Sequence, residues 1–271
     1  MKKIAIIITL LLTQWLAAAA QHQDDTDQQL KYAAYLVDNG KDALAFQTLN
    51  SLIKSRPSCH YAYYLRALNY YNARNTKSAL YDIDQALRSR PLDTTYLALK
   101  GDILSMAGKY GKAAECYSTA AKAQRQDATP RLLYSAALAY LRDQNFTKAT
   151  TFAEMLLQTA PECDSAKTLA AEIFTAAGNP TDALRVINTA AKHDAKYYRA
   201  RGMAYCKAQM NQYAISDLNN AIDIDPSLHD IYIWRGIAKY QSGDRKGAHL
   251  DWEKAISLRQ YSAKELLQKY K

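Results

Sequence analysis

Seven alanines, Ala45, Ala79, Ala113, Ala149, Ala183, Ala214 and Ala248, succeed one another at intervals of 34, 34, 36, 34, 31 and 34 residues. A chain marked at so regular a distance is built from repeated units, each too small to bury its apolar face without its neighbours. Twelve residues before each alanine stands a second small residue: Ala33, Ala67, Gly101, Ala137, Ala171, Gly202 and Gly236. Apolar residues recur three and four apart almost everywhere, which is the helical period, and no segment alternates strictly as a half-buried strand would. Pro57, Pro91, Pro161 and Pro226 close four of the units. Proline lacks an N–H and pushes its predecessor out of the helical region, so each marks a helix end. The reading is two helices per unit, with small side chains where the axes cross at ~8–10 Å.

Two stretches carry the pattern most fully, RGMAYCKAQMNQYAISDLNNAIDIDP at 201–226 and RGIAKYQSGDRKGAHLDWEKAISL at 235–258; a third unit holds Gly101, Gly108, Tyr110, Ala113, Tyr117 and Ala120 in register. This pattern resembles the tetratricopeptide repeat, and with its leader the chain is similar to the secreted bacterial type. The resemblance implies an all-α, right-handed superhelical solenoid of seven helix-turn-helix units, at about 26–59, 60–93, 94–129, 130–163, 164–194, 195–228 and 229–262. A C-terminal capping helix at 261–271 follows, with Lys264, Glu265, Gln268, Lys269 and Lys271 as its polar face. The third unit carries two extra residues within AQRQDATP, and the fifth is three short near TAAKHDAKYY. Both joints are expected to depart from the common geometry.

The first 20 residues have another character. Two lysines, an apolar run and Ala18-x-Ala20 form the layout of a signal peptide cleaved after Ala20, followed by a short segment at 21–25; an uncleaved anchor is the competing reading. Cleavage leaves a periplasmic or secreted chain with no stable membrane insertion. The formal net charge of +9 falls to +7 without Lys2 and Lys3, and the remaining charges are dispersed. That balance gives a weak preference for an acidic partner and no nucleic-acid site. Cys59, Cys116, Cys163 and Cys206 stand 57, 47 and 43 residues apart, each in a different unit and with no CxxC, and four unpaired thiols are expected.

No HExxH, GxSxG, glycine-rich phosphate loop or calcium loop is present, so the sequence offers no catalytic residue, no metal site and no cofactor site, and the chain reads as non-enzymatic. His60 beside Cys59 reads as a turn residue, and Asp93 and Asp164 read as helix caps. Proteins of the resembled family bind partners in a concave groove lined by the first helix of each unit. Carried over, that groove holds Tyr61, Tyr64, Tyr71, Arg131, Tyr134, Lys196, Arg199 and Met203. The Lys and Asn of a carboxylate clamp are replaced by Leu30, Ala34 and Leu65. Tyrosine is used 21 times against 4 phenylalanines, which suits contact surfaces. Tyr32, Tyr63, Tyr70, Tyr117, Tyr140 and Tyr205 fall at packing positions instead. The function expected is a scaffold holding a protein or extended peptide, of open oligomeric state. The alternative is an envelope carbohydrate-binding or outer-membrane assembly accessory protein using the same groove.

Overall fold

The computed structural model describes residues 25–124 and 129–270, and all regular structure among them is α-helical. The leader expected at 1–20 and part of the two-residue insertion lie outside the described residues. The chain divides into two compact units at Arg125, within the long 36-residue interval. The first unit holds α1 (25–38), α2 (Asp42–Ser55), α3 (His60–Asn72), α4 (Thr76–Ser89), α5 (Thr94–Met106) and α6 (Tyr110–Ala123). The second holds α7 (Pro130–Arg142), α8 (Phe146–Thr159), α9 (Asp164–Ala176), α10 (Pro180–Ile187), α11 (Ala195–Lys207), α12 (Asn211–Ile224), α13 (Ile231–Gln241), α14 (Arg245–Ser257) and α15 (Ala263–Lys269).

Three residues separate the two helices of every pair from α1/α2 to α13/α14. The middle one has positive φ in each, at Gly40, Arg74, Gly108, Gln144, Gly178, Gln209 and Gly243. This left-handed residue turns the chain and lets its neighbours' N–H groups reach back to the orphan carbonyls of the first helix. At the other end of each unit, Pro57, Pro91, Pro161 and Pro226 stand two residues beyond the last residue of α2, α4, α8 and α12.

The marked alanines are fully buried, and so are Ala33, Ala67, Ala137 and Ala171. What they face explains why some units use glycine instead. Sixteen residues after each small residue of the first helix come Leu49, Ile83, Tyr117, Ala153, Ile187, Leu218 and Trp252, all buried. Opposite Gly101, a Cβ would lie 2.5 Å from Tyr117 Cε1; opposite Gly202, 2.8 Å from Leu218 Cγ; opposite Gly236, 2.7 Å from Trp252 Cδ1. The two bulkiest partners, tyrosine and tryptophan, both sit against glycine. Each crossing is filled by complementary volumes rather than by a fixed residue type.

A charged pair lies one residue before that crossing in three units. Arg66 donates to Asp82 through Nε at 2.7 Å and Nη2 at 2.8 Å; Arg201 does the same to Asp217 at 2.7 and 2.9 Å, and Arg235 to Asp251 at 2.9 and 2.6 Å. Each links a first helix to its own second helix by two parallel bonds, the geometry in which guanidinium and carboxylate match best. Arg66 and Arg235 also reach back to the preceding second helix, to Asn50 at 2.5 Å and Asn219 at 2.7 Å. Register positions of this pair hold Ala136 with Phe152, and Ala170 with Val186, in two middle units.

The fifth pair departs from the rest in the way its short interval leads one to expect. α10 has 8 residues where the other second helices have 13 or 14, and 188–194 is irregular. Asp164 was expected to cap α9; Cys163 occupies that position, and the Asp164 carboxylate instead accepts the N–H groups of Ala191 and Lys192, both at 2.9 Å. Buried Lys167 donates Nζ to the Thr189 carbonyl at 2.9 Å. Two α9 side chains thus satisfy main-chain groups that the missing helical turn leaves without partners. Asp93 does act as a cap, accepting from the Thr95 and Tyr96 N–H groups.

The Ala191 and Lys192 N–H bonds hold the Asp164 carboxyl below its ordinary value of 3.8. A lowered folded pKa gives stabilisation that is complete above about pH 4 and is lost as pH falls through the lowered value. Protection of the Ala191 and Lys192 amides, taken relative to their intrinsic exchange rates, is therefore expected to fall on acidification and in Asp164→Ala at neutral pH, while that of Ala183 is unchanged. Unaltered exchange at both amides in the variant would remove this role.

At the C-terminal end α15 covers α14. Ala263 is fully buried, His249 Nε2 is 2.8 Å from the Tyr270 carbonyl, and the Tyr270 ring lies 4.4 Å from Tyr240 and 5.7 Å from Trp252. Lys264, Glu265, Gln268 and Lys269 face solvent, as a capping helix requires. At the other end Tyr32 corrects its expected place in the core. It is half exposed.

Candidate functional site

The expected groove residues fall in both compact units, and each set is described within its own. In the first unit Tyr61, Tyr64 and Tyr71 project from α3. The Tyr61 and Tyr64 rings stack at 5.7 Å, and Tyr64 stacks on Tyr96 of α5 at 4.9 Å. The Tyr96 hydroxyl lies 2.7 Å from Nδ1 of His60. Burial, aided by Arg90, lowers the His60 pKa below 6.5, so its imidazole is neutral at pH 7. Tyr61 is the exposed member of the row. Tyr71 packs against the core formed by Ala67, Ile83 and Tyr96, so part of its surface serves packing rather than contact.

In the second unit α7, α9 and α11 enclose a cavity of about 520 Å³. Tyr134, Leu138 and Arg142 line it from α7, at four-residue spacing along one helix face. Ser165, Thr168, Leu169 and Glu172 line it from α9, Lys196 and Arg199 from α11, and Leu228 from the loop before α13. The irregular segment contributes Lys192 and Asp194. Of the five residues expected here, Tyr134, Lys196 and Arg199 meet in this cavity. Arg131 is exposed near the start of α7, and half-buried Met203 lies further along α11; neither lines it.

Arg199 was expected as a groove cation, and the structure makes it a strut. Its Nη1 donates to Glu172 Oε1 at 2.7 Å; Nε donates to Asp230 at 2.9 Å, and Nη2 bonds the same carboxylate. One guanidinium thereby ties α9, α11 and the start of α13. Burial works against its charge, but the bonds to Asp230 and the field of Glu172 outweigh it and raise its pKa. Burial likewise raises the Glu172 pKa, opposed by Arg199. Tyr134 is raised by burial and then by Glu172, so it stays a neutral phenol able to donate.

The carboxylates of the cavity are engaged within the protein. Asp164 holds two main-chain N–H groups, Glu172 holds Arg199, and Asp194 accepts the Tyr197 N–H and pairs with Lys192 at 3.1 Å. Sequence reasoning missed Glu172, Asp230 and the irregular segment as parts of this site. The three-residue deficit was the only signal for the segment. Glu172 lies 27 residues before Arg199 and Asp230 31 after it, separations that no local pattern marks.

Among the described residues, no three or more His, Cys, Asp or Glu side chains are grouped to hold a metal ion, and no helix is long and apolar enough to cross a membrane. Cys206 is buried, which pushes its thiol up to about 11, and Cys116 is raised by the same cause. Exposed Cys163 is lowered by the Ser165 hydroxyl and the Ala166 N–H.

Comparison with known proteins agrees with this architecture. The human DnaJ homolog subfamily C member 7 is 27% identical over 206 residues, 68% of this chain and 41% of that protein. The chain spans less than half the length of the curated relatives it matches. A tetratricopeptide repeat protein from Parabacteroides merdae superposes with a TM-score of 0.69 at 20% identity, covering 90% of this chain and 98% of that one. The C-terminal part of a TPR repeat-containing protein from Cytophaga hutchinsonii gives 0.62 at 17%, covering 84% and 95%. These structural likenesses show the fold. The family model described as Psidin, N-terminal TPR repeats region, matches residues 27–162, half of the chain. The protein therefore belongs to this tetratricopeptide repeat family.

Proposed function

We propose that the protein is a non-enzymatic, exported scaffold that binds a protein segment on the faces of its first helices. The observation that carries this reading is the convergence of Tyr134, Lys196 and Arg199 on one cavity, braced by the Glu172–Arg199–Asp230 strut. A cavity of that size, lined by three leucines and Tyr134 among charged and hydroxyl groups, has the character of a recognition site. Export is supported by the lysine-led apolar leader ending at Ala20.

A photo-crosslinking residue placed at Lys196, inside the cavity, and at Tyr213, exposed on a second helix, tests the reading in cells. Covalent capture of a protein from Lys196 and not from Tyr213 is expected, in envelope or secreted fractions and on a chain beginning at Gln21. Equal capture from both, or none from Lys196, would reject it. Carbohydrate capture is a second reading, favoured by the stacked Tyr61–Tyr64–Tyr96 row with its exposed end. A glycan array decides between them.

A further inference from the structure

We infer that the second-unit cavity takes an acidic–apolar peptide segment, with a carboxylate of the ligand on Lys196 and the neighbouring apolar side chain on Leu138, Leu169 and Leu228. This inference rests on the scaffold reading and gives its partner a chemistry. Three observations carry it. First, the cavity is specific to this chain's shortened fifth pair: 188–194 is held irregular by Asp164 and Lys167, and that segment supplies Lys192 and Asp194 to the wall. Secondly, the charges are unequal in availability: three carboxylates, Asp164, Glu172 and Asp194, line the cavity with four cations, Arg142, Lys192, Lys196 and Arg199. Every lining carboxylate accepts bonds inside the protein, from main-chain N–H groups, Lys192 or Arg199. Lys192 is paired with Asp194 and Arg199 with two carboxylates, whereas exposed Lys196 makes no ion pair among the described residues. A cationic ligand would find its acceptors engaged; an anionic one finds an ammonium open. Thirdly, the lining also offers Leu138, Leu169 and Leu228 as apolar contacts, with the uncharged Tyr134 phenol and the Ser165 and Thr168 hydroxyls beside them.

The strut adds preorganisation. Arg199 fixes the spacing of α9 and α11 before any ligand arrives, so little ordering cost remains for binding. A charge-assisted ammonium–carboxylate bond contributes roughly tenfold or more in affinity.

The test uses the full mature chain and short fluorescein-labelled peptides of alternating leucine and glutamate, against the same peptides with glutamine for glutamate. Fluorescence anisotropy is expected to show the glutamate peptide binding about tenfold tighter. Lys196→Glu should abolish that preference, and Leu228→Ser should weaken both peptides. Lys246→Glu, an equal charge change on exposed α14, should leave both unaffected. Equal binding of the two peptides, equal loss in Lys196→Glu and Lys246→Glu, or no binding of either would overturn the inference. If crosslinking of a protein from Lys196 persists in that case, the scaffold reading stands without the acidic–apolar assignment; if crosslinking fails too, both fall.

Discussion

Replacing Asp217 with alanine is expected to destabilise the second unit by about 3 kcal/mol, the lower end of what removing one partner of a buried ion pair costs. The Asp217 side chain is 6% exposed, and Arg201, 22% exposed, gives it two bonds at 2.7 and 2.9 Å. The Arg201 guanidinium also lies over the Tyr197 ring at 4.8 Å, with Tyr205 at 5.8 Å. Without the carboxylate, a guanidinium stays among rings with no anion. Urea unfolding followed by helical circular dichroism reads the loss. Lys100–Asp84 is the control: its partners are 30% and 50% exposed, and Asp84→Ala is expected to cost well under 1 kcal/mol. A loss at Asp217 as small as the control's would show that the buried pairs are not structural. Replacing both Arg201 and Asp217 by apolar residues should cost much less than Asp217→Ala, because two other units hold buried Ala136 with Phe152 and buried Ala170 with Val186 at the same register.

Gly236→Ala is expected to destabilise the second unit by roughly 1–3 kcal/mol, the usual cost of overfilling a packed core. Helix propensity alone predicts the opposite sign, a gain of about 1 kcal/mol for alanine over glycine inside a helix. Packing decides, because the new methyl would lie 2.7 Å from Cδ1 and 3.0 Å from Cε2 of Trp252. That indole is fully buried, bonded through Nε1 to the Ile233 carbonyl at 3.3 Å, and flanked by Tyr240 and Tyr270. It has nowhere to move. Replacement at Gly243, whose Cβ position is open, tests backbone strain instead, since its φ is +94°.

The repeat was legible because its signal is local and recurs: small residues twelve apart, a proline after the second helix, an apolar residue every third or fourth position. Each of these depends on neighbours within one unit, so periodicity exposes them. The ion pairs were equally periodic, at Arg66/Asp82, Arg201/Asp217 and Arg235/Asp251, but they occupy only some units, and the apolar replacements between them broke the pattern. In the site, Tyr134, Lys196 and Arg199 could be placed from register, since register assigns a helix face. What register cannot assign is whether a charge on that face is available. Arg199 and Lys196 stand three residues apart on α11, yet one is held by two carboxylates and the other is open. That distinction comes from Glu172 and Asp230 on other helices. The irregular segment was visible only as three missing residues, and its anchoring by Asp164 and Lys167 replaces a cap that local pattern had favoured.

A double-mutant cycle at Gly236 and Trp252 tests most directly whether paired volumes at the crossing determine how closely the helices of a unit approach. Trp252→Ala removes the indole and is costly by itself. In its presence Gly236→Ala should become neutral or mildly stabilising, as Ala137 opposite Ala153 implies, giving a coupling on the order of 2 kcal/mol. Strictly additive losses, with Gly236→Ala equally harmful in both backgrounds, would contradict the account.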